Sequence, residues 1–275
     1  MKTLISVITV CLNAEKDIEF TIDSVLDQDF TEYEYLIQDG GSDDRTIEIA
    51  EGYRERFKER NIPFRIISEK DEGLYDAMNK AAGSAEGEWL IYMNAGDGFF
   101  DGDVLKNLSE EVSDKYDVLY GDAVMLEKDM YKLLRAENTD RLRVTNPICH
   151  QASLTRTEMI RKNPFDSRYK IAADFDFFLK LYLADADRIK KTDRVFSVFS
   201  LGGISNSNIF QREKEFNASR KQNGMKRVLF PGLLILAVVA FNLARNILKE
   251  IMGKGYYSKS RGWFSDRYEA VKTDV

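Results

Sequence analysis

From residue 4 to residue 97, short β-like runs alternate with helical patterns. This alternation narrows the folds open to the chain most sharply, because it is the sequence form of a parallel sheet joined by crossover helices. The predicted strands are Leu4–Val10, Tyr35–Gln38, Phe64–Ser68 and Trp89–Met93. Between the first two, Ile18, Ile22, Val25 and Leu26 fall on one apolar helical stripe,. Ile47, Ala50, Tyr53 and Phe57 form a second stripe before the third strand. Right-handed crossovers bring the C-terminal strand ends to one edge, outside which open α/β sheets bind ligands. The polar residues gathered on that rim are Asn13, Asp39–Asp44, Glu69–Glu72 and Asn94–Asp97.

The second half is less regular. Strand-like runs at Asp117–Tyr120, Gln151–Thr155 and Arg194–Ser200, and a helix over Ala173–Leu183, are expected to extend the same sheet without a linker. Gly40 and Gly41 suit a tight turn with positive φ, Ser42 or Asp43 can cap the helix that follows, and Asp39 is left at the strand tip facing the crevice,. The bland alternative is an N-capped surface turn.

A net charge of −6 over 275 residues argues against nucleic acid as the main partner, since a polyanion needs a basic face to displace its counterions,. Two cysteines, Cys11 and Cys149, give no disulfide framework,. The opening MKTLISVITVCLN reads as a buried strand, being short and lacking a small-residue cleavage site,. Residues 206–227 are polar and basic and lead into Val228–Ala244, seventeen residues without a charge between Arg227 and Arg245. Three readings of that run stay open: a helix lying in an anionic membrane interface, a bilayer-spanning helix, and a buried or oligomer-forming helix.

Four segments, SVITVCLN at 6–13, QDGGSDDRT at 38–46, DEGLYDAMNKA at 71–81 and GEWLIYMNAGD at 87–97, occur in order and in register. Together they resemble the inverting family-2 glycosyltransferases. That resemblance implies a GT-A fold, a nucleoside-diphosphate-sugar donor (a UDP-sugar first), a divalent metal, Mn²⁺ or Mg²⁺, and transfer to an acceptor hydroxyl. It implies that Thr9, Cys11 and Asn13 line the nucleoside pocket, that Asp39 binds the base, and that Asp71 and Glu72 lie near the ribose and diphosphate. Asp76 and Asn79 would reach donor hydroxyls, and Lys80 would offset phosphate charge. In the family's metal motif carboxylates flank a small residue; here the stretch is Asn94-Ala95-Gly96-Asp97, so Asp97 alone keeps a carboxylate, with Asn94 beside the donor. The His150-Gln151 pair resembles an active-site element, which makes His150 a donor-phosphate contact or second metal ligand, although a lone histidine near apolar residues is more often structural. Asp122 is a candidate for acceptor or metal contact. The helix beginning KIAADFDFFLKL resembles the stretch holding the catalytic carboxylate, which assigns the general base to Asp174 and leaves Asp176 in reserve near the acceptor.

The expected organisation is a GT-A domain over 1–205, with a nucleotide-sugar-binding half at 1–100 and an acceptor half at 101–205. Residues 206–275 form a basic and apolar helical tail that associates with a membrane or makes an oligomer. The partners implied are a nucleotide sugar and a glycan or lipid-linked glycan of a cell-surface polysaccharide pathway, with the enzyme in the cytoplasm at the inner membrane face. Two rival readings are a sugar-nucleotide pyrophosphorylase, disfavoured because CLNAEKD replaces the glycine-rich basic loop of such enzymes, and a scaffold that binds nucleotide but has lost catalysis.

Overall fold

Four parallel strands carry the N-terminal half, and they are rich in β-branched and aromatic residues because both faces of β1, β2 and β4 are covered, with β3 the half-buried edge,. They are β1 (Ile5–Cys11), β2 (Tyr33–Asp39), β3 (Phe64–Ser68) and β4 (Trp89–Tyr92), joined through α1 (Ile18–Leu26), α2 (Thr46–Glu51), α3 (Arg54–Glu59) and α4 (Leu74–Ser84). This computed structural model describes residues 3–127, 130–200, 209–225 and 268–270. The apolar run Val228–Ala244 lies outside the described residues. Among those described, no helix is long and apolar enough to cross a membrane.

After β4 come β5 (Gly98–Phe99), α5 (Val104–Glu111), β6 (Val118–Glu127), β7 (Met130–Leu134), β8 (Ser153–Arg156), α6 (Thr157–Lys162), α7 (Ala173–Ala184), β9 (Ile189–Ser200), α8 (Ile209–Gln222) and β10 (Tyr268–Ala270). The sheet order is β10-β7-β6-β8-β4-β1-β2-β3, and β9 joins β6 and β5. The first half is parallel, whereas β8 runs antiparallel to both β4 and β6. The expected extension of one sheet is present, but it is mixed, and β6 is far longer than the run Asp117–Tyr120 predicts. Gly121 makes its parallel pairing with β9 possible, since a Cβ there would stand 2.3 Å from the Arg194 carbonyl oxygen.

Alternate strand residues feed two cores. Ile8, Val10, Leu36 and Leu90 pack with α4, α6 and α7 on one face, while Ile5, Val7, Tyr35 and Ile91 pack with α1, α3 and α5 on the other,. The stripe at 47–57 does not make one helix, because the chain breaks at Gly52 and Tyr53 into α2 and α3.

The expected boundary at 205 does not end the packed unit. Phe216 of α8 is buried in the α7-side core and stacks on Phe175 with ring centroids 4.1 Å apart. Arg220 and Ser219 of the same helix have no exposed surface.

Candidate active site

The first wall of the rim is the β2–α2 loop, stitched onto the end of β1. Ser42 Oγ accepts from the Asn13 N–H at 2.8 Å, Asn13 Oδ1 accepts from the Asp43 N–H at 2.9 Å, and Thr46 Oγ1 accepts from the Ala14 N–H at 2.7 Å. The two glycines serve different ends. Gly41 has φ +88°, whereas Gly40 is needed because a Cβ there would meet Asp71 Oδ2 at 2.5 Å,. Neither Ser42 nor Asp43 caps α2; Asp44 Oδ1 accepts the Thr46 N–H at 2.9 Å, and the Ser42 hydroxyl bonds Asp39.

Asp39 is fully buried at the end of β2. It accepts N–H bonds from Gly41 and Ser42, each at 3.0 Å, and hydroxyl bonds from Ser42 and from Ser68 at 2.6 Å. Burial alone would raise its proton affinity, but these four donors together outweigh it and hold the carboxyl below its usual range,. Cys11 Sγ lies 3.7 Å from Asp39 Oδ1, and burial beside that charge pushes the thiol well above its ordinary range. Thr9 is interior: its hydroxyl donates to the Met93 carbonyl at 2.7 Å and meets Tyr35 Oη at 2.8 Å.

Along the second wall, Asp71 Oδ1 accepts the Gly73 N–H at 2.8 Å, and Gly73, at φ +118°, opens α4. Asp76 turns back to accept the Glu72 N–H at 3.0 Å and pairs with Lys80 at 3.1 Å, as an acid in the first helical turn does,. Asn79 makes a reciprocal pair with the Phe165 backbone, at 2.8 and 2.9 Å, and so ties α4 to the loop before α7.

The centre of the rim gathers residues far apart in sequence. Asn94 follows β4, His150 begins the short turn before β8, and Asp174 sits in the first turn of α7. Asn94 Nδ2 is 3.2 Å from His150 Nε2, His150 Nδ1 is 3.9 Å from Asp174 Oδ2, and Asn146 Nδ2 donates to the same oxygen at 3.0 Å. The Phe175 N–H donates to Asp174 Oδ1 at 2.7 Å. Burial pushes Asp174 up to about 6 and His150 down to about 4, so at neutral pH the imidazole is uncharged beside an ionised carboxylate,. Asp97 is also buried, which raises it to about 7 against one hydrogen bond from Gln151 and one from the Asn94 backbone.

Two other candidates spend their carboxylates on the scaffold. Asp122 Oδ1 accepts the Ala136 N–H at 2.7 Å and so fastens the chain after β7. Asp176 is buried beneath α8, with Ser219 Oγ at 2.7 Å, Asn223 Nδ2 at 3.1 Å and Lys180 Nζ at 2.7 Å. Asn146 and Gln151, which touch the two central carboxylates, carry no sequence signal of their own; only the position of Gln151 next to His150 points to it.

Among the described residues no three His, Cys, Asp or Glu side chains group to hold a metal ion. Asp97 would supply one hard oxygen, and Asn94 Oδ1, buried without a hydrogen-bond partner, would supply another in the same turn. Both nitrogens of His150 face protein groups. This pair fits a Mg²⁺ or Mn²⁺ ion completed by donor phosphates and water, not a cage made by protein alone.

The model of the family described as Glycosyl transferase family 2 matches residues 6–188. A "PGL/p-HBAD biosynthesis glycosyltransferase" of Mycobacterium tuberculosis is 30% identical over 217 residues, covering 78% of this chain and 82% of that protein. Among solved structures, S. aureus TarS 1-349 in complex with UDP-GlcNAc aligns with a TM-score of 0.62 at 22% identity over 80% of this chain; the chain spans 65% of TarS 1-349. The mannosyltransferase PcManGT of Pyrobaculum calidifontis, in complex with GDP-Man and Mn²⁺, aligns with a TM-score of 0.63 at 17% identity, over 91% of this chain and 76% of its own. The chain belongs to glycosyl transferase family 2 and is a glycosyltransferase with the GT-A fold.

Proposed function

We propose that the enzyme moves a sugar from a nucleoside-diphosphate sugar, a UDP-sugar first, to a hydroxyl of a glycan or lipid-linked glycan, with inversion, in cell-surface polysaccharide biosynthesis. The observation that carries this reading is Asp174, a largely buried carboxylate raised to about 6 at the meeting point of three rim segments. A group with that proton affinity is ionised at neutral pH, yet is a stronger base than an exposed aspartate. Asp174 takes the proton of the acceptor hydroxyl as its oxygen attacks the anomeric carbon, and the bond from that carbon to the donor diphosphate breaks on the opposite face. Asn146 and His150 hold the carboxylate in line. The nucleoside lies along the wall of Asn13, Asp39 and Asp71. A divalent ion held by Asp97 and Asn94 would supply positive charge where the diphosphate gathers negative charge.

The nucleotide sugars bound by TarS and PcManGT support the donor class. Basic residues flanking Val228–Ala244 support a peripheral contact with an anionic membrane surface on the cytoplasmic side,. The test is transfer by the full-length protein from a panel of UDP- and GDP-sugars with Mn²⁺, the anomeric configuration of the product being read by NMR. Inverted product from wild type and none from Asp174→Asn is the expected result; a retained configuration, or full activity in Asp174→Asn, would overturn the reading.

A further inference from the structure

The family match ends at residue 188, yet the two loops that hold Asp174 are gripped by α8, which lies beyond it. The helix α7 opens at Ala172, which has no side-chain cap, so the N–H groups entering it need another acceptor,. One carboxylate supplies it. Glu215 Oε2 accepts from the Ile171 N–H at 2.8 Å and from the Ala172 N–H at 3.0 Å, and Oε1 accepts from the Lys170 N–H at 3.2 Å. Gln211, one turn earlier on α8, donates to Oε1 at 3.0 Å and fixes the Glu215 rotamer. Three consecutive backbone groups just ahead of Asp174 are thus tied to a single buried side chain.

Five residues further along α8, Arg220 grips the other loop. It donates to the carbonyls of Arg143 and Val144 and lies 5.3 Å from the Phe175 ring centroid. That loop leads to Asn146, whose amide bonds Asp174 Oδ2. The carboxylate of Asp174 is therefore placed by two segments, each of which α8 ties down in addition to the local bonds of the 141–148 turn and the Tyr75 hydroxyl on the Ile171 carbonyl.

We propose that Glu215 is a positioning residue for the transfer step, fixing the turn 170–172 and through it the carboxylate of Asp174. It touches neither the donor nor the reacting atoms. The nucleoside wall at 13, 39 and 71 is built from β1, β2 and the loop before α4, away from α8. Loss of Glu215 accordingly leaves donor capture intact and misplaces the base, and a displacement near 1 Å costs on the order of 100-fold in turnover. This inference rests on Asp174 being the base.

The test uses the full-length chain and four variants, Glu215→Ala, Glu215→Gln, Ser219→Ala and Asp174→Asn. Measured are kcat and donor KM with the nucleotide sugar that wild type turns over, UDP and GDP binding with Mn²⁺ by calorimetry, and amide hydrogen exchange over residues 168–176. Glu215→Ala is expected to lower kcat about ten- to a hundredfold, with donor KM and nucleotide affinity within about twofold of wild type and exchange at 170–172 accelerated. Glu215→Gln keeps one oxygen for Ile171 and Ala172 and should retain most of kcat. Ser219→Ala, which removes the α8 bond to Asp176, gauges loosening of the same interface away from the turn and should leave kcat near wild type. Full kcat in Glu215→Ala would overturn the proposal, as would an equal loss of kcat in Ser219→Ala at a similar fall in melting temperature. Should Glu215→Ala fail to fold, Glu215→Asp, one methylene shorter, takes its place; an unchanged kcat there is equally fatal. An active Asp174→Asn would sink the base assignment itself, whereas an inactive Asp174→Asn with a fully active Glu215→Ala would sink only the positioning role.

Discussion

Replacing Asp174 by Asn should make the protein more stable while removing its transfer activity. Burial raises Asp174 from 3.8 to about 6, so the folded state binds its proton more tightly than the unfolded chain does. Stability attached to this group is therefore fully present below about pH 4, falls as pH rises from about 4 to about 6, and stays low above that. The difference of about two pH units corresponds to about 3 kcal/mol of cost at neutral pH. Asparagine removes that cost, but its single carbonyl oxygen must serve both the Phe175 N–H and Asn146, so the loss of one hydrogen bond returns about 1 kcal/mol,. The net gain is about 2 kcal/mol above pH 7, or roughly 4–8 °C in melting temperature for a unit of this size. At pH 4 the gain should vanish and leave only the lost bond. Calorimetry of wild type and Asp174→Asn at pH 4 and pH 8 reads this directly. A melting-temperature offset that is the same at both pH values, or a lower melting temperature for the variant at pH 8, would refute the reasoning that a buried ionised carboxylate is held there at a cost.

Three further outcomes are expected. Asp97 is raised to about 7; as the proposed metal ligand it would have to give up its proton, so nucleotide affinity measured by calorimetry with Mn²⁺ should fall about tenfold per pH unit below 7, and chelation with EDTA or Asp97→Asn should remove the dependence,. Gly40→Ala drives a methyl into Asp71 Oδ2 and should weaken nucleotide binding with little change in melting temperature, whereas Gly41→Ala, at φ +88°, should cost about 1–2 kcal/mol of stability, read by urea titration,. Truncation after residue 205 should leave an insoluble or poorly folded chain, because Phe216 alone accounts for about 3–5 kcal/mol of core packing, whereas truncation after residue 225 should keep a folded, donor-binding domain, as read by circular dichroism and calorimetry,.

The parallel half of the fold was legible because each of β1 to β4 carries its own local signal, a short β-branched run followed by a helical stripe. The break at Gly52 was not, since the apolar spacing continues across it and glycine within a helical pattern is often tolerated,. The length of β6 and its parallel partner β9 depend on residues about seventy positions apart, which no local pattern encodes. In the site, position was easier to read than orientation. Asn94, His150 and Asp174 do meet, but Thr9, Asp76 and Asn79 spend their polar atoms on the scaffold, and the residue types that hold a ligand are the same ones that hold a loop. Asn146 and Glu215 went unread because their partners lie on other elements.

If the base meets Asp39 as proposed, the hydrogen bonds of that carboxylate bear on which bases the enzyme can accept. Its two oxygens are acceptors only, and their N–H and O–H bonds come from the loop and from Ser68, with the Cys11 thiol as a weaker fifth donor. The Ser68 hydroxyl, like the Ser42 hydroxyl and the Cys11 thiol, can rotate away without moving backbone, so it is a place where an incoming base would compete,. A base that takes its place must bring an N–H to the edge it presents. Uracil and guanine do so through their imide and lactam groups, while cytosine offers a bare ring nitrogen at the same point. Selectivity among nucleotides would then arise from a hydroxyl that yields to one class of heterocycle and holds its place against the other.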